Sequence, residues 1–141
     1  MAYKGKYKPR RPYKYKGDPT NIIYRSLWER KFMQYCDDSL NILEWGSEEI
    51  ALPYRSPVDN RVHRYFPDFV IKTIKDKKYM IEIKPSRQTV KPKKPKLKTK
   101  SYMRESFNYI KNKAKWSAAR AYCVNNNMEF KLITEKQLGF K

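Results

Sequence analysis

The chain is expected to fold as a single α/β (α+β) domain, a partly antiparallel sheet covered by helices. Three observations predict this. Its 141 residues leave room for one modest core and not for two. Twelve Tyr, six Phe and three Trp supply enough apolar bulk to fill that core. Hydrophobic spacing also switches between helical steps of three and four and the alternation of strands. The resulting order is helix, three strands, helix, strand, which places helices over a mixed sheet.

Residues 1–20 read as a basic flexible arm ahead of a domain spanning 21–141. Lys4, Lys6, Lys8, Arg10, Arg11, Lys14 and Lys16 stand there beside Pro9 and Pro12, with no acid before Asp18. Proline at these positions excludes a helix interior or a central strand. Tyr3, Tyr7, Tyr13 and Tyr15 interleave with the cations and are candidates to stack on bases or to pack against a protein partner. Ser26 and Glu29 have the S-x-x-E spacing of a capping box and open a helix. Trp28, Phe32, Tyr35 and Cys36 fall on one face of it, and it should end near Asp37-Asp38-Ser39. Short strands are expected over 42–45 and 48–54, then a turn at Ser56-Pro57-Val58-Asp59-Asn60. A strand over 62–73 and another over 78–84 flank a tight turn at Ile74-Lys75-Asp76.

The stretch 85–100 reads as an extended basic loop. Pro85, Pro92 and Pro95 forbid regular structure, and Lys84 begins a run with Arg87, Lys91, Lys93, Lys94, Lys96, Lys98 and Lys100 that contains no acid. Beyond it Met103, Phe107, Ile110, Ala114, Ser117, Ala121 and Val124 recur at steps of four and three, the stripe of a long amphipathic helix. Asn125-Asn126-Asn127 should stop that helix. A strand over 129–133 follows, and Thr134 with Gln137 has the spacing of a second capping box.

Charge narrows the function. With 33 Lys+Arg against 14 Asp+Glu the formal net charge is +19, and such self-repulsion calls for a polyanion partner. Nucleic acid is the first candidate, a basic viral or ribosomal structural role the second, a membrane surface a weaker third. No run approaches the ~20 apolar residues of a membrane span. The N-terminus lacks the apolar stretch of a signal peptide, so an intracellular origin is expected. Cys36, Cys123 and the lone His63 do not complete a zinc site; both thiols read as small core residues, and no local motif supports a catalytic Cys–His pair.

The informative stretches are Tyr65-Phe66-Pro67-Asp68-Phe69-Val70 and Tyr79-Met80-Ile81-Glu82-Ile83-Lys84. Strand alternation puts Tyr79, Ile81 and Ile83 on one face and Met80, Glu82 and Lys84 on the other. A hairpin turning at Lys75 sets Asp68 opposite Glu82, with Cβ atoms ~4.5–5.5 Å apart. Like charges so placed repel each other, and a divalent cation between them removes the conflict. Mg²⁺ (or Mn²⁺) is the expected ion, because it binds through few carboxylates, keeps several waters and accepts phosphate oxygens. Lys84 would stand beside it and meet charge on a phosphate.

Pro67-Asp68 followed by Glu82-Ile83-Lys84 resembles the PD-(D/E)xK nuclease motif, and the element order resembles that superfamily's restriction-endonuclease-like αβββαβ core. Tyr24-Arg25-Ser26, Trp45-Gly46-Ser47-Glu48, Arg64-Tyr65-Phe66-Pro67-Asp68, Ile81-Glu82-Ile83-Lys84-Pro85 and Leu138-Gly139-Phe140 are similar to TnsA-type endonuclease domains and to the head completion proteins of T4-like phages. Met1-Ala2-Tyr3 and Gly17-Asp18-Pro19 fit the phage group too. The resemblance implies a Mg²⁺-dependent DNA nuclease, endo- or exonucleolytic, with Asp68, Glu82 and Lys84 as its site and Glu29 as a further acidic ligand. It also implies processing of packaged DNA ends before tail joining and contacts with phage head, portal and neck proteins. The expected location is the host cytoplasm during assembly, with retention in the virion head or neck.

Other readings stand beside these. Glu29 is also explained by its helix cap, Asp68 by backbone hydrogen bonds at a strand start, and Glu82 with Lys84 by a solvated charge pattern. Glu48 or Glu49 is either support for the site or surface charge, and His63 is expected at the surface. The basic segments are either solvated charge or phosphate clamps, with Gln88 and Arg87 as DNA contacts just past the site; no base readout is encoded. At the level of the whole protein, a structural head or neck protein on a nuclease fold and a nuclease subunit of a transposition or recombination system are the alternatives.

Overall fold

A computed structural model describes residues 4–139. Met1-Ala2-Tyr3 and Phe140, which contribute to the resemblance, lie outside the described residues. The elements are β1 (Gly5–Tyr7), a 3-10 turn (Pro12–Lys14), β2 (Ile22–Tyr24), α1 (Leu27–Asp38), β3 (Ile42–Ser47), β4 (Leu52–Arg55) and β5 (Val62–Tyr65). They continue with β6 (Phe69–Thr73), β7 (Lys78–Ile83), a second 3-10 turn (Ser86–Thr89), α2 (Lys100–Asn125), β8 (Met128–Ile133) and α3 (Glu135–Leu138). The expected mixed α/β single domain is what forms.

A four-stranded sheet in the order β3-β6-β7-β8 carries the site. β3, β6 and β7 are antiparallel neighbours, and β8 lies parallel to β7, so α2 serves as the crossover that a parallel pair requires. β7 shows why the sheet is covered on both sides. Ile81 and Ile83 join Trp45, Phe69, Met33 and Cys36 in the cluster under α1. Met80 joins Trp116, Ala119 and Cys123 of α2 in the opposite cluster. Both cysteines are free and buried, as expected of core thiols.

The tight turn holds the register. Thr73 N–H donates to the Lys77 carbonyl at 2.9 Å, and Asp76 takes the left-handed conformation at φ 62. Phe69 therefore pairs with Ile81 and Lys72 with Lys78. The expected strand over 62–73 is in fact two. Pro67 has no N–H to give a ladder, so the chain breaks at 66–68, and β5 pairs with β4 in a separate hairpin. That break leaves Asp68 immediately before β6 rather than inside a strand.

Two further expectations are corrected. The helix over 100–125 exists, but its buried face is Asn112, Trp116, Ala119 and Cys123, whereas Met103, Phe107, Ile110 and Val124 are exposed. Both stripes fit helical spacing, and the one carrying Trp116 buries more area against Met80 and Leu52, so it wins the core. In α1, likewise, Met33 is buried and Tyr35 is exposed.

The segment expected as a basic arm makes specific contacts with the domain. β1 pairs with β2, and the fully buried Asp37 carboxylate at the end of α1 gathers the segment. It accepts from Tyr7 Oη at 2.8 Å, Arg10 N–H at 2.7 Å and Arg11 N–H at 3.0 Å. Lys14, a candidate DNA contact from its position, is itself buried. Its Nζ donates to the Asp37 and Ser39 carbonyls at 3.0 and 2.9 Å, closing the C-terminal end of α1 where orphan carbonyls attract a cation. Tyr7 and Tyr15 pack edge-on against Trp45, and Tyr13 remains exposed.

Candidate active site

Asp68 and Glu82 come together because each lies one residue past the last β6–β7 ladder pair, Phe69 with Ile81, Asp68 just ahead of β6 and Glu82 on β7. One Asp68 carboxylate oxygen accepts the Ile83 N–H at 2.8 Å, and the Asp68 carbonyl accepts the Glu48 N–H at 3.1 Å. Glu82 is only 5% exposed. Its Oε2 accepts the Tyr65 hydroxyl at 2.6 Å, and its Oε1 lies 3.7 Å from Lys84 Nζ. Lys84 follows the last residue of β7, its backbone N–H held by the Ile133 carbonyl at 2.9 Å. Two strands and the Pro67 break thus fix all three side chains at one end of the sheet.

Burial pushes the Asp68 carboxyl well above the ordinary carboxylate range, and the facing Glu82 charge and Glu29 add to the rise. Burial also raises Glu82, against the opposing pull of the Tyr65 hydroxyl, Lys84 and Lys115. Lys115, on α2, was not singled out in the sequence. Its ammonium lies 5.7 Å from the Tyr65 ring centroid and 5.9 Å from that of Tyr54; burial first, then Lys84, lowers its pKa. Lys84 and Lys115 therefore flank Glu82 from two elements far apart in sequence.

Glu29 lies in the first turn of α1 and makes hydrogen bonds at the start of that helix. Its N–H donates to Ser26 Oγ at 3.2 Å, while its carboxylate accepts the Arg25 N–H at 2.8 Å, one residue before the helix cap. Burial raises its pKa first, and Glu48 raises it further. Arg25 clamps Glu48 with two hydrogen bonds of 3.1 Å, and Glu49 accepts from Tyr15 Oη at 2.8 Å. Glu48 is thereby tied to the edge of the site and Glu49 to the N-terminal segment. His63 pairs with Asp59 at 2.7 Å on the exposed β5 face.

The candidate DNA contacts divide. Lys4, Lys6, Lys8 and Arg10 are exposed, as are Arg87, Gln88, Lys91, Lys93, Lys94, Lys96 and Lys98. Lys16 reaches Glu44 at 3.2 Å and Arg11 reaches Asp38 at 3.0 Å. Ser86 anchors the start of the basic loop to the Glu135 carboxylate through its N–H at 2.9 Å and its hydroxyl.

Among the described residues no three His, Cys, Asp or Glu side chains converge as a ready metal cage. The donors that do converge are the two carboxylates, whose burial and mutual repulsion hold their pKa values up. Such a pair fits Mg²⁺ or Mn²⁺, which needs only one or two protein carboxylates, and a cation there would relieve the repulsion.

This fixes a pH dependence. Both folded pKa values lie above the ordinary range near ~4, so the folded state holds extra protons in between. The stability these groups contribute is present below that range and is lost as pH rises through the raised values. Without divalent cation, the melting temperature of the parent should fall relative to a Glu82→Gln variant as pH climbs. Added Mg²⁺ should close the gap, and thermal melts across pH with and without Mg²⁺ read both effects.

A family model for the TnsA-like endonuclease N terminal matches residues 39–135, from the end of α1 to the first residue of α3 and so across Asp68, Glu82 and Lys84. A curated protein called head completion nuclease, from Enterobacteria phage T4, is 38% identical over an alignment covering 100% of this chain and 99% of that protein.

Proposed function

From a chain that belongs to the TnsA-like endonuclease family, and so is a nuclease of that family, we propose a divalent-cation-dependent DNA nuclease with its centre at Asp68, Glu82 and Lys84. The observation that carries the reading is the buried carboxylate pair flanked by two ammonium groups. A divalent cation, when bound, neutralises phosphate charge and lowers the pKa of a water. Asp68 and Glu82 would hold it, the Ile83 N–H and Tyr65 hydroxyl fixing the direction of each carboxylate. Lys84 faces the scissile phosphate and stabilises the charge that develops on it. Lys115 adds a second positive charge near Glu82 from α2. Glu29 stands at the edge of the pair, as an added ligand or as the group that orients Arg25 and Glu48.

A phage setting is supported by the name of the relative, head completion nuclease. In this reading the chain processes packaged DNA ends in phage heads, beside head, portal and neck proteins, in the host cytoplasm and then in the particle. Exposed Lys4, Lys6, Lys8 and Arg10 with the 87–98 loop neutralise phosphates without reading sequence. With about six such contacts, affinity should fall ~10³-fold between 50 and 200 mM salt, as titration of labelled duplex would show.

The test is incubation of the purified chain with linear and supercoiled DNA in Mg²⁺, Mn²⁺ or EDTA. Cleavage with either ion and none in EDTA supports the reading; equal products in EDTA would sink it. Lys115→Ala should reduce the cleavage rate by about 10–100-fold, the usual cost of losing a partner that orients a ligand. Lys115→Arg should recover part of that loss.

A further inference from the structure

Between the start of the basic loop and α2 lies a cavity of about 150 Å³ that the cleavage reading does not use. We infer that it is a subsite for one unpaired pyrimidine base of a DNA strand held at the neighbouring centre. This rests on the reading that the chain handles DNA.

Size is the first argument. A cavity of about 150 Å³ admits a single benzene-sized ring, so a pyrimidine fits and a fused purine is crowded. Chemistry is the second. Val90 and Pro92 give apolar walls and Tyr109 an aromatic ring, while Arg87, Gln88 and Asn112 bring donors and amide edges. Planar stacking combined with amide hydrogen bonding is how unpaired bases are held. Glu105 is the one acid among the lining residues; it accepts from a ring imide or an amino group and repels a phosphate. Lys113 lies 5.7 Å from the Tyr109 ring centroid, adding positive charge beside a ring that meets a strand.

Position is the third argument. Arg87 follows Lys84 by three residues, through the 3-10 turn anchored on Glu135. Asn112, buried on α2, precedes Lys115 by three and so shares its helix face. A strand whose phosphate meets Lys84, with Lys115 on the same face of α2 as Asn112, therefore brings a neighbouring base towards the cavity.

The test is binding in EDTA, where no cutting interferes. Probes are equal-length single strands of oligo(dT), oligo(dA) and an abasic oligomer, which carry the same phosphate charge. Oligo(dT) should bind roughly 5- to 150-fold tighter than the abasic strand, the range of one stacked base, with oligo(dA) between. Tyr109→Ala should erase the gap and Tyr109→Phe should keep it. Val90→Trp, at an exposed loop position, should also erase it by filling the cavity without altering α2. Equal affinity for all three strands overturns the subsite, as does a gap that survives both Tyr109→Ala and Val90→Trp. A dT preference in a chain that cuts nothing would overturn the cleavage reading and leave the subsite standing.

Discussion

Lys84→Ala and Glu82→Ala are each expected to lower DNA cleavage by at least ~10²–10³-fold, the cost of removing one group aimed at transition-state charge. The two variants should differ in what else they change. Lys84 carries a partly exposed ammonium, and its backbone hydrogen bond to Ile133 survives substitution. Lys84→Ala should melt close to the parent and still bind DNA. Glu82 is buried and holds the Tyr65 hydroxyl, so Glu82→Ala leaves a buried donor unpaired, costing about 1–3 kcal/mol. Glu82→Gln keeps an acceptor, removes the like charge beside Asp68, and should melt at or above the parent while being equally inactive. Parallel melts and initial cleavage rates separate loss of chemistry from loss of fold.

The second large effect is on stability. Asp37→Ala should cost about 3–5 kcal/mol, because it removes a buried charge whose partners stay behind. Tyr7 Oη and the Arg10 and Arg11 N–H groups lose their acceptor together, and the buried Lys14 ammonium loses the nearest negative charge. Hydrogen bonds to a charged acceptor carry more than neutral ones. Asp37→Asn should cost less, since it keeps one oxygen. Denaturant unfolding measures both, and limited proteolysis should cut the 4–16 segment of Asp37→Ala first. A loss below about 1 kcal/mol would mean that the aromatic packing of Tyr7 and Tyr15 on Trp45 holds the segment unaided.

Asp37 also shows where sequence reading stops. The hairpin register was legible because it is local: a turn at 74–76 and strict alternation fix Phe69 opposite Ile81, and Asp68 and Glu82 follow. The Asp37 clasp joins residues 23 to 30 positions apart, and a Pro-rich basic segment carries no pattern announcing that it folds back. Lys14 looked like six other cations until its burial was known. The break at Pro67 was written in the sequence, since proline cannot supply a ladder N–H, but apolar and aromatic residues on both sides read as one strand. On α2 two apolar stripes competed, and only the sheet it covers decides between them. Lys115 sits among Lys111 and Lys113, and nothing local marks it as the one facing Glu82.

In the proposed centre Asp68 and Glu82 together hold a divalent cation. Titrating Mn²⁺ into the chain and following free Mn²⁺ by electron paramagnetic resonance tests it without DNA or turnover. Saturable binding that is weakened in Asp68→Asn and in Glu82→Gln, and abolished in the double variant, is the predicted result. Binding that persists unchanged in the double variant, or no saturable binding to a parent that nonetheless cuts DNA, would contradict it.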